Sequence, residues 1–216
     1  MITKAKICGI KTRDALDAAI AGGADYIGLV FCAQSPRHLE ISEARELADA
    51  ARGKAGIVVL TVDPDDATLA DIVREVAPDF LQLHGNETPE RVAEIKQRFG
   101  RPIIKAIPVR TSADVATAGK YESAADLILF DAKAPAGATR PGGHGQTFDW
   151  AILESVTGRM PFMLSGGLTP GNVAAAIAAT SPMAVDVSSG VESAPGVKDT
   201  ELIRRFLQAV KAAKQG

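Results

Sequence analysis

The chain has 216 residues, 46% of them hydrophobic and 23% charged, which is the composition of one globular domain and not of a disordered chain. Basic residues number 24 against 26 acidic ones, a formal net charge of −2, so no charge excess favours nucleic acid as a partner. Two cysteines, Cys8 and Cys32, are too few for a disulfide scaffold or a structural zinc site. No apolar run reaches the roughly 18 residues of a membrane span, and the first ten residues show no signal-peptide pattern. The expectation is a cytoplasmic protein without membrane or nucleic-acid partners.

Short β-branched, apolar runs recur at 4–10, 26–31, 56–62, 80–85, 102–109, 127–132, 161–167 and 184–190. Between them lie amphipathic stretches, among them 42–52, 66–77, 88–100 and 169–180, and a last one at 199–214. Apolar residues in these stretches recur at three- and four-residue spacing. Ser42, Thr88 and Asp199 stand where helix caps are expected, and Asp63–Asp66 read as a turn and helix start. Strict alternation of strand and helix requires parallel strands joined by crossovers, because tight turns cannot connect parallel neighbours. Eight such units predict an α/β fold, a single-domain (β/α)₈ TIM barrel over residues 1–216, at 27 residues per unit. The first strand–helix turn lacks a GxGxxG fingerprint, so a dinucleotide fold is not expected.

In such a barrel the chemistry sits at the C-terminal strand ends. Cys8 ends strand 1 on the same side as Lys6, a cation that lowers a thiol pKa. The same parity puts Asp186 and Ser188 together on strand 8, beside strand 1, so a Lys6–Asp186 pair would weaken that pull. Leu81 and Leu83 point towards the helices, with Gln82 and His84 inward and Lys105 joining a polar interior. His84 stays ambiguous between ligand contact and a satisfied interior histidine. Asp131 ends an apolar strand, where a carboxylate is costly unless it has partners or work. Arg37, after Pro36, can clamp a carboxylate with its planar fork. Cys32 reads as packing, and His38 and His144 as solvent-facing.

The segments Ser165–Gly166–Gly167 and Ser188–Ser189–Gly190 put small residues where backbone N–H groups are exposed. Phosphate sites in this fold recur after strands 7 and 8, with a short extra helix for which residues 188–192 are the candidate. No metal-ligand motif stands at a strand end. A thiol, a carboxylate, an anion cradle and an arginine suit cofactor-free proton transfer on a sugar phosphate.

The segments KICGI (6–10), GLVF with SPR (28–37), LQLHGNE (81–87), LFDAK (129–133), GQTFDW (145–150), LSGGLTPGNV (164–173) and DVSSGVE (186–192) occur together in one order. In them the chain closely resembles the phosphoribosylanthranilate isomerases of tryptophan biosynthesis, over nearly its whole length. The resemblance implies an Amadori rearrangement of N-(5-phosphoribosyl)anthranilate to 1-(2-carboxyphenylamino)-1-deoxyribulose 5-phosphate, without cofactor or metal. Carried onto this sequence, Asp131 is the general acid and Cys8 the general base, and Arg37 holds the anthranilate carboxylate. Backbone groups around Gly166, Gly167, Ser188, Ser189 and Gly190 hold the phosphate, with Asn172 in support. His84, Gly143 and Asp186 complete the expected substrate contacts. One departure is His144 in Gly142–Gly143–His144–Gly145, where the family has GGTG; the loop 133–147 is a candidate lid.

Two relatives on the same barrel fit less well. The histidine-pathway isomerases use aspartates at strands 1 and 5, where this chain has Cys8 and Ile107–Pro108. Indoleglycerol-phosphate synthase needs a lysine acid that has no counterpart here. A non-catalytic phosphate binder would need neither Cys8 nor Asp131. The partner is a small phosphorylated substrate, and a monomer is expected in preference to a dimer.

Overall fold

The computed structural model describes residues 3–134, 145 and 147–213. Eight parallel strands close in sequence order into a barrel: β1 (Lys4–Cys8), β2 (Tyr26–Phe31), β3 (Gly56–Thr61), β4 (Phe80–Leu83), β5 (Ile103–Val109), β6 (Leu127–Ala132), β7 (Phe162–Leu164) and β8 (Ala184–Val187). The seam is β1 against β8, with Lys6 opposite Asp186. Around the barrel stand α1 (Arg13–Gly22), α2 (Ile41–Ala51), α3 (Asp66–Val76), α4 (Pro89–Phe99), α5 (Ser112–Ala116), α6 (Val173–Thr180) and α7 (Thr200–Ala213). No helix among the described residues is long and apolar enough to cross a membrane.

The period of two divides each strand between two cores. Val58, Ile104, Ala106, Leu129, Met163 and Ala184 fill the barrel interior. Ile7, Ile27, Ile57, Leu81, Leu83, Ile103 and Phe130 join the larger cluster against the helices. The helices bury stripes at three- and four-residue spacing: Leu69, Ile72 and Val76 in α3, and Ile203, Phe206, Leu207 and Val210 in α7. Thr88 caps α4 ahead of Pro89, and the Asp199 carboxylate accepts the Glu201 and Leu202 N–H groups at the start of α7. Asp65 caps α3 through Thr68 N–H, as the aspartate-rich turn predicts.

Several local expectations change. The cap of α2 is Glu40 and not Ser42: Glu43 reaches back to the Glu40 N–H at 2.9 Å and starts the helix two residues earlier. The fifth crossover is only α5 followed by a 3-10 turn, Thr117–Tyr121, and among the described residues the sixth holds one 3-10 turn, Trp150–Leu153. Strands 1, 4, 7 and 8 stop earlier than their apolar runs suggest. After β1, Gly9 turns the chain at φ 79°, and after β7 Gly166 and Gly167 do so at 92° and 62°. Beyond β8 comes the expected short helix, a 3-10 turn at Ser189–Val191, and then an unforeseen hairpin, β9 (Glu192–Ala194) and β10 (Val197–Lys198). Lys105 faces the helices and not the interior, because it pairs in register with outward Leu83; there it meets Glu87 at 2.7 Å. His38 is half-buried, edge-on to Phe31, and so is not simply solvent-facing. Gly143, His144 and most of the loop 133–147 lie outside the described residues.

Candidate active site

A cavity opens at the C-terminal end of the barrel, and Cys8, Arg37, His84, Asp131, Gly166, Gly167, Asp186, Ser188, Ser189 and Gly190 all line it. Residues from strands 1, 2, 4, 6, 7 and 8 or the loops after them therefore converge, as the closed topology requires. Cys32, read from sequence as packing, also lines this cavity; it is half-buried and its Sγ lies 3.4 Å from Gln34 Oε1. Asn172 does not line it. Its Oδ1 accepts from Thr169 N–H at 2.7 Å and its Nδ2 donates to the Gly167 carbonyl at 3.0 Å, so its amide braces the loop after β7.

Cys8 is buried, and Gly28 on β2 lies opposite it in register. A Cβ at Gly28 would come within 2.8 Å of the Cys8 sulfur, so the missing side chain is what gives the thiol its room. Burial pushes the Cys8 pKa up; Lys6 and Lys198 pull it down, and Asp186 adds to the rise, leaving it above the ordinary 9.0. The foreseen pair is present: Lys6 donates to Asp186 at 3.0 Å with both side chains buried. Burial works against the Lys6 charge, yet Asp186 and Cys8 beside it raise its pKa above the ordinary 10.5.

A chain of hydrogen bonds runs across the barrel from this pair. Lys6 donates to Gln82 Oε1 at 2.9 Å, Gln82 Nε2 lies 3.0 Å from His84 Nδ1, and His84 Nε2 lies 3.1 Å from Asp131 Oδ2. An ammonium only donates, so the Gln82 oxygen must face Lys6 and its NH₂ must face His84. Nδ1 therefore accepts, and Nε2–H donates to Asp131. His84 thus has a partner at both ring nitrogens and also lines the cavity. The other Asp131 oxygen accepts Ala132 N–H at 3.0 Å.

Arg37 is buried and held by Glu192, with Nε donating to Oε1 and Nη2 to Oε2, both at 2.7 Å. Gly9 makes room for its stem: a Cβ there would meet Arg37 Cδ at 2.5 Å. The fork uses one edge of the guanidinium and not Nη1, so Arg37 is oriented before any ligand arrives. Lys198 donates to Glu192 Oε1 at 2.7 Å, to the Ser188 carbonyl at 2.9 Å and to the Ser188 hydroxyl at 3.3 Å. That hydroxyl donates in turn to the Cys8 carbonyl at 3.1 Å. A trans peptide carries its C=O and N–H on opposite sides. Tying the Gly167 carbonyl to Asn172 and the Ser188 carbonyl to Lys198 thus turns the Leu168 and Ser189 N–H groups the other way, and both residues line the cavity.

Glu192 and Lys198 were missed as contributors. Glu192 stands inside a recognisable motif, but Lys198 is a lone lysine between Val197 and Asp199, with no pattern to mark its burial.

The family model for N-(5'-phosphoribosyl)anthranilate isomerase matches residues 5–209. The chain belongs to that family. An N-(5'-phosphoribosyl)anthranilate isomerase of Rhodopseudomonas palustris (strain BisA53) is 58% identical over 210 residues, 97% of this chain and 96% of that protein. The phosphoribosyl anthranilate isomerase of Thermotoga maritima superposes with a TM-score of 0.88 at 35% identity, covering 97% of this chain and 99% of that one. A phosphoribosyl anthranilate isomerase solved with reduced 1-(o-carboxyphenylamino)-1-deoxyribulose 5-phosphate gives 0.85 at 32% identity, covering the same shares. Membership of the phosphoribosylanthranilate isomerase family makes the chain an isomerase of tryptophan biosynthesis.

Proposed function

We propose that Cys8 is the general base and Asp131 the general acid in the rearrangement of N-(5'-phosphoribosyl)anthranilate to 1-(2-carboxyphenylamino)-1-deoxyribulose 5-phosphate. The observation that carries this reading is the convergence of Cys8, Asp131, Arg37 and both glycine-rich loops on one cavity. Asp131 gives its proton to the furanose ring oxygen as the C1–O bond breaks and the amine lone pair forms a protonated imine. The Cys8 thiolate takes the C2 proton, and the C–H electrons flow into the C1–C2 bond and back to nitrogen. The enolamine becomes the ketone by losing the C2 hydroxyl proton and gaining one at C1. Substrate and product are isomers, and the substrate's own nitrogen is the electron sink.

Arg37 receives the anthranilate carboxylate, and the backbone at Gly166–Leu168 and Ser188–Gly190 receives the phosphate. His84 holds Asp131, Asn172 supports the phosphate loop from behind, and Asp186 acts through Lys6. All of these groups come from one chain, which supports a barrel that works alone. A free thiol used as a base fits a reducing, cytoplasmic setting.

Purified protein should convert phosphoribosylanthranilate with loss of anthranilate-type fluorescence. Cys8→Ala and Asp131→Ala should each lower kcat by about 10²-fold or more, the scale of a positioned acid or base. Near wild-type turnover in both variants would remove the assignment.

A further inference from the structure

We propose that Glu192 and Lys198, on the β9–β10 hairpin, are positioning residues that lock the carboxylate-binding and phosphate-binding halves of the site into one unit. The proposal rests on the reading of Arg37 and the Ser188–Gly190 loop given above. Lys198 touches both halves: through Glu192 it fixes the Arg37 fork, and through the Ser188 carbonyl it fixes the peptide that carries the Ser189 N–H.

The hairpin is built for that work. The Arg37, Glu192 and Lys198 side chains are each 5% exposed or less. Glu192 also accepts Gly196 N–H at 3.2 Å at the hairpin turn. Gly196 sits so close to the Arg37 loop that a Cβ would come within 2.5 Å of the Pro36 carbonyl oxygen. Lys198 makes three donations, which is the full complement of an ammonium and more than a neutral amine can offer. Burial pushes its pKa below the ordinary 10.5, with Arg37 adding to the fall and Glu192 opposing it.

The triad holds two cations and one carboxylate, so it carries one positive charge without an internal partner. Buried charge is costly unless paired, and a dianionic or trianionic ligand at this mouth supplies the missing anion. Lys6 cannot fill that role, because its charge is already matched by Asp186 at 3.0 Å. The hairpin thus explains how a site with near-neutral surroundings holds a substrate with anionic groups at both ends. It also lets occupancy of one end favour the geometry of the other.

The test compares Glu192→Gln, Lys198→Met and Arg37→Ala in the whole enzyme. Each is assayed for kcat and KM, and for inhibition by anthranilate, by ribose 5-phosphate and by the reduced product analogue. Glu192→Gln keeps shape and should raise KM and the anthranilate inhibition constant about tenfold, as for loss of one charge-assisted contact, with a smaller rise for ribose 5-phosphate through Lys198. Lys198→Met should weaken both anthranilate and ribose 5-phosphate, while kcat in Glu192→Gln stays within about threefold of the parent, since Glu192 does not touch the reacting atoms. Wild-type constants in Glu192→Gln, or tighter anthranilate binding, would overturn the proposal. So would a Lys198→Met effect confined to kcat. If Lys198→Met fails to fold, the isosteric Glu192→Gln decides alone. If Arg37→Ala leaves anthranilate inhibition unchanged, the underlying reading of Arg37 falls; if Arg37→Ala weakens it and Glu192→Gln does not, only the hairpin proposal falls.

Discussion

Burial and Asp186 hold the Cys8 thiol above its ordinary 9.0 while Lys6 and Lys198 oppose them, so the base rests protonated. The proposed reaction needs that thiol as the thiolate, and its raised pKa places the titration of the base above neutrality. In a Cys32→Ser background, the ultraviolet absorbance of the Cys8 thiolate should reach half its change above 9.0, and a midpoint at or below 9.0 would contradict the burial argument. At this scale much was legible. Strand parity alone places Lys6, Cys8, Asp186, Gln82 and His84 inward. Lys105 misled because its partner Glu87 lies in a loop, where no periodicity announces a carboxylate turned towards the helices.

Among the elements, the short α5 is held by its first turn. Asp114 accepts from the Arg110 and Thr111 N–H groups and from the Thr111 hydroxyl, and it meets Lys133 from the end of β6. Burial opposes its charge, but these bonds prevail and hold its pKa at about 2 against the ordinary 3.8. A depressed folded-state pKa means stability that is complete above the unfolded value and lost as pH falls through the folded one. Asp114→Asn should lower the melting temperature at neutral pH, and the gap to the parent should close between pH 3.8 and about 2. A gap that persists unchanged below that window would show that Asp114 acts by shape and not by charge. Helices with long apolar stripes, such as α3, α4 and α7, were readable from spacing. The fifth crossover was not, because five residues of α5 and a 3-10 turn span too few turns to show a period. The β9–β10 hairpin hid for a similar reason, since three residues and two residues cannot display an alternation.

For the molecule as a whole, closure depends on the pairing of β1 with β8, and Lys6 is the buried link there. Removing one member of a buried ion pair strands the other, typically at about 3–5 kcal/mol. Lys6→Met should therefore destabilise by about that much in urea unfolding, through an orphaned Asp186 and a Gln82 oxygen without its donor. A loss below about 1 kcal/mol, the usual value for an exposed pair, would mean that the seam is wetter than its burial implies. The barrel itself was legible from alternation because parallel strands leave no other economical connection. Its site was legible wherever strand ends carry it, and illegible where the chain continues past β8 and folds back.

The same seam sets an order of events when the chain is made. Lys6 is synthesised 180 positions ahead of Asp186. Until then β1 has a partner on one side only, and its lysine has no carboxylate to face. Growing chains carry an open edge and an unmatched charge until β8 emerges, which disfavours a finished-looking barrel built from an incomplete chain. The base at Cys8, the hydroxyl of Ser188 that grips its carbonyl and the hairpin that steadies Arg37 come together only after β8 has emerged. The site thus cannot assemble before the barrel is able to close.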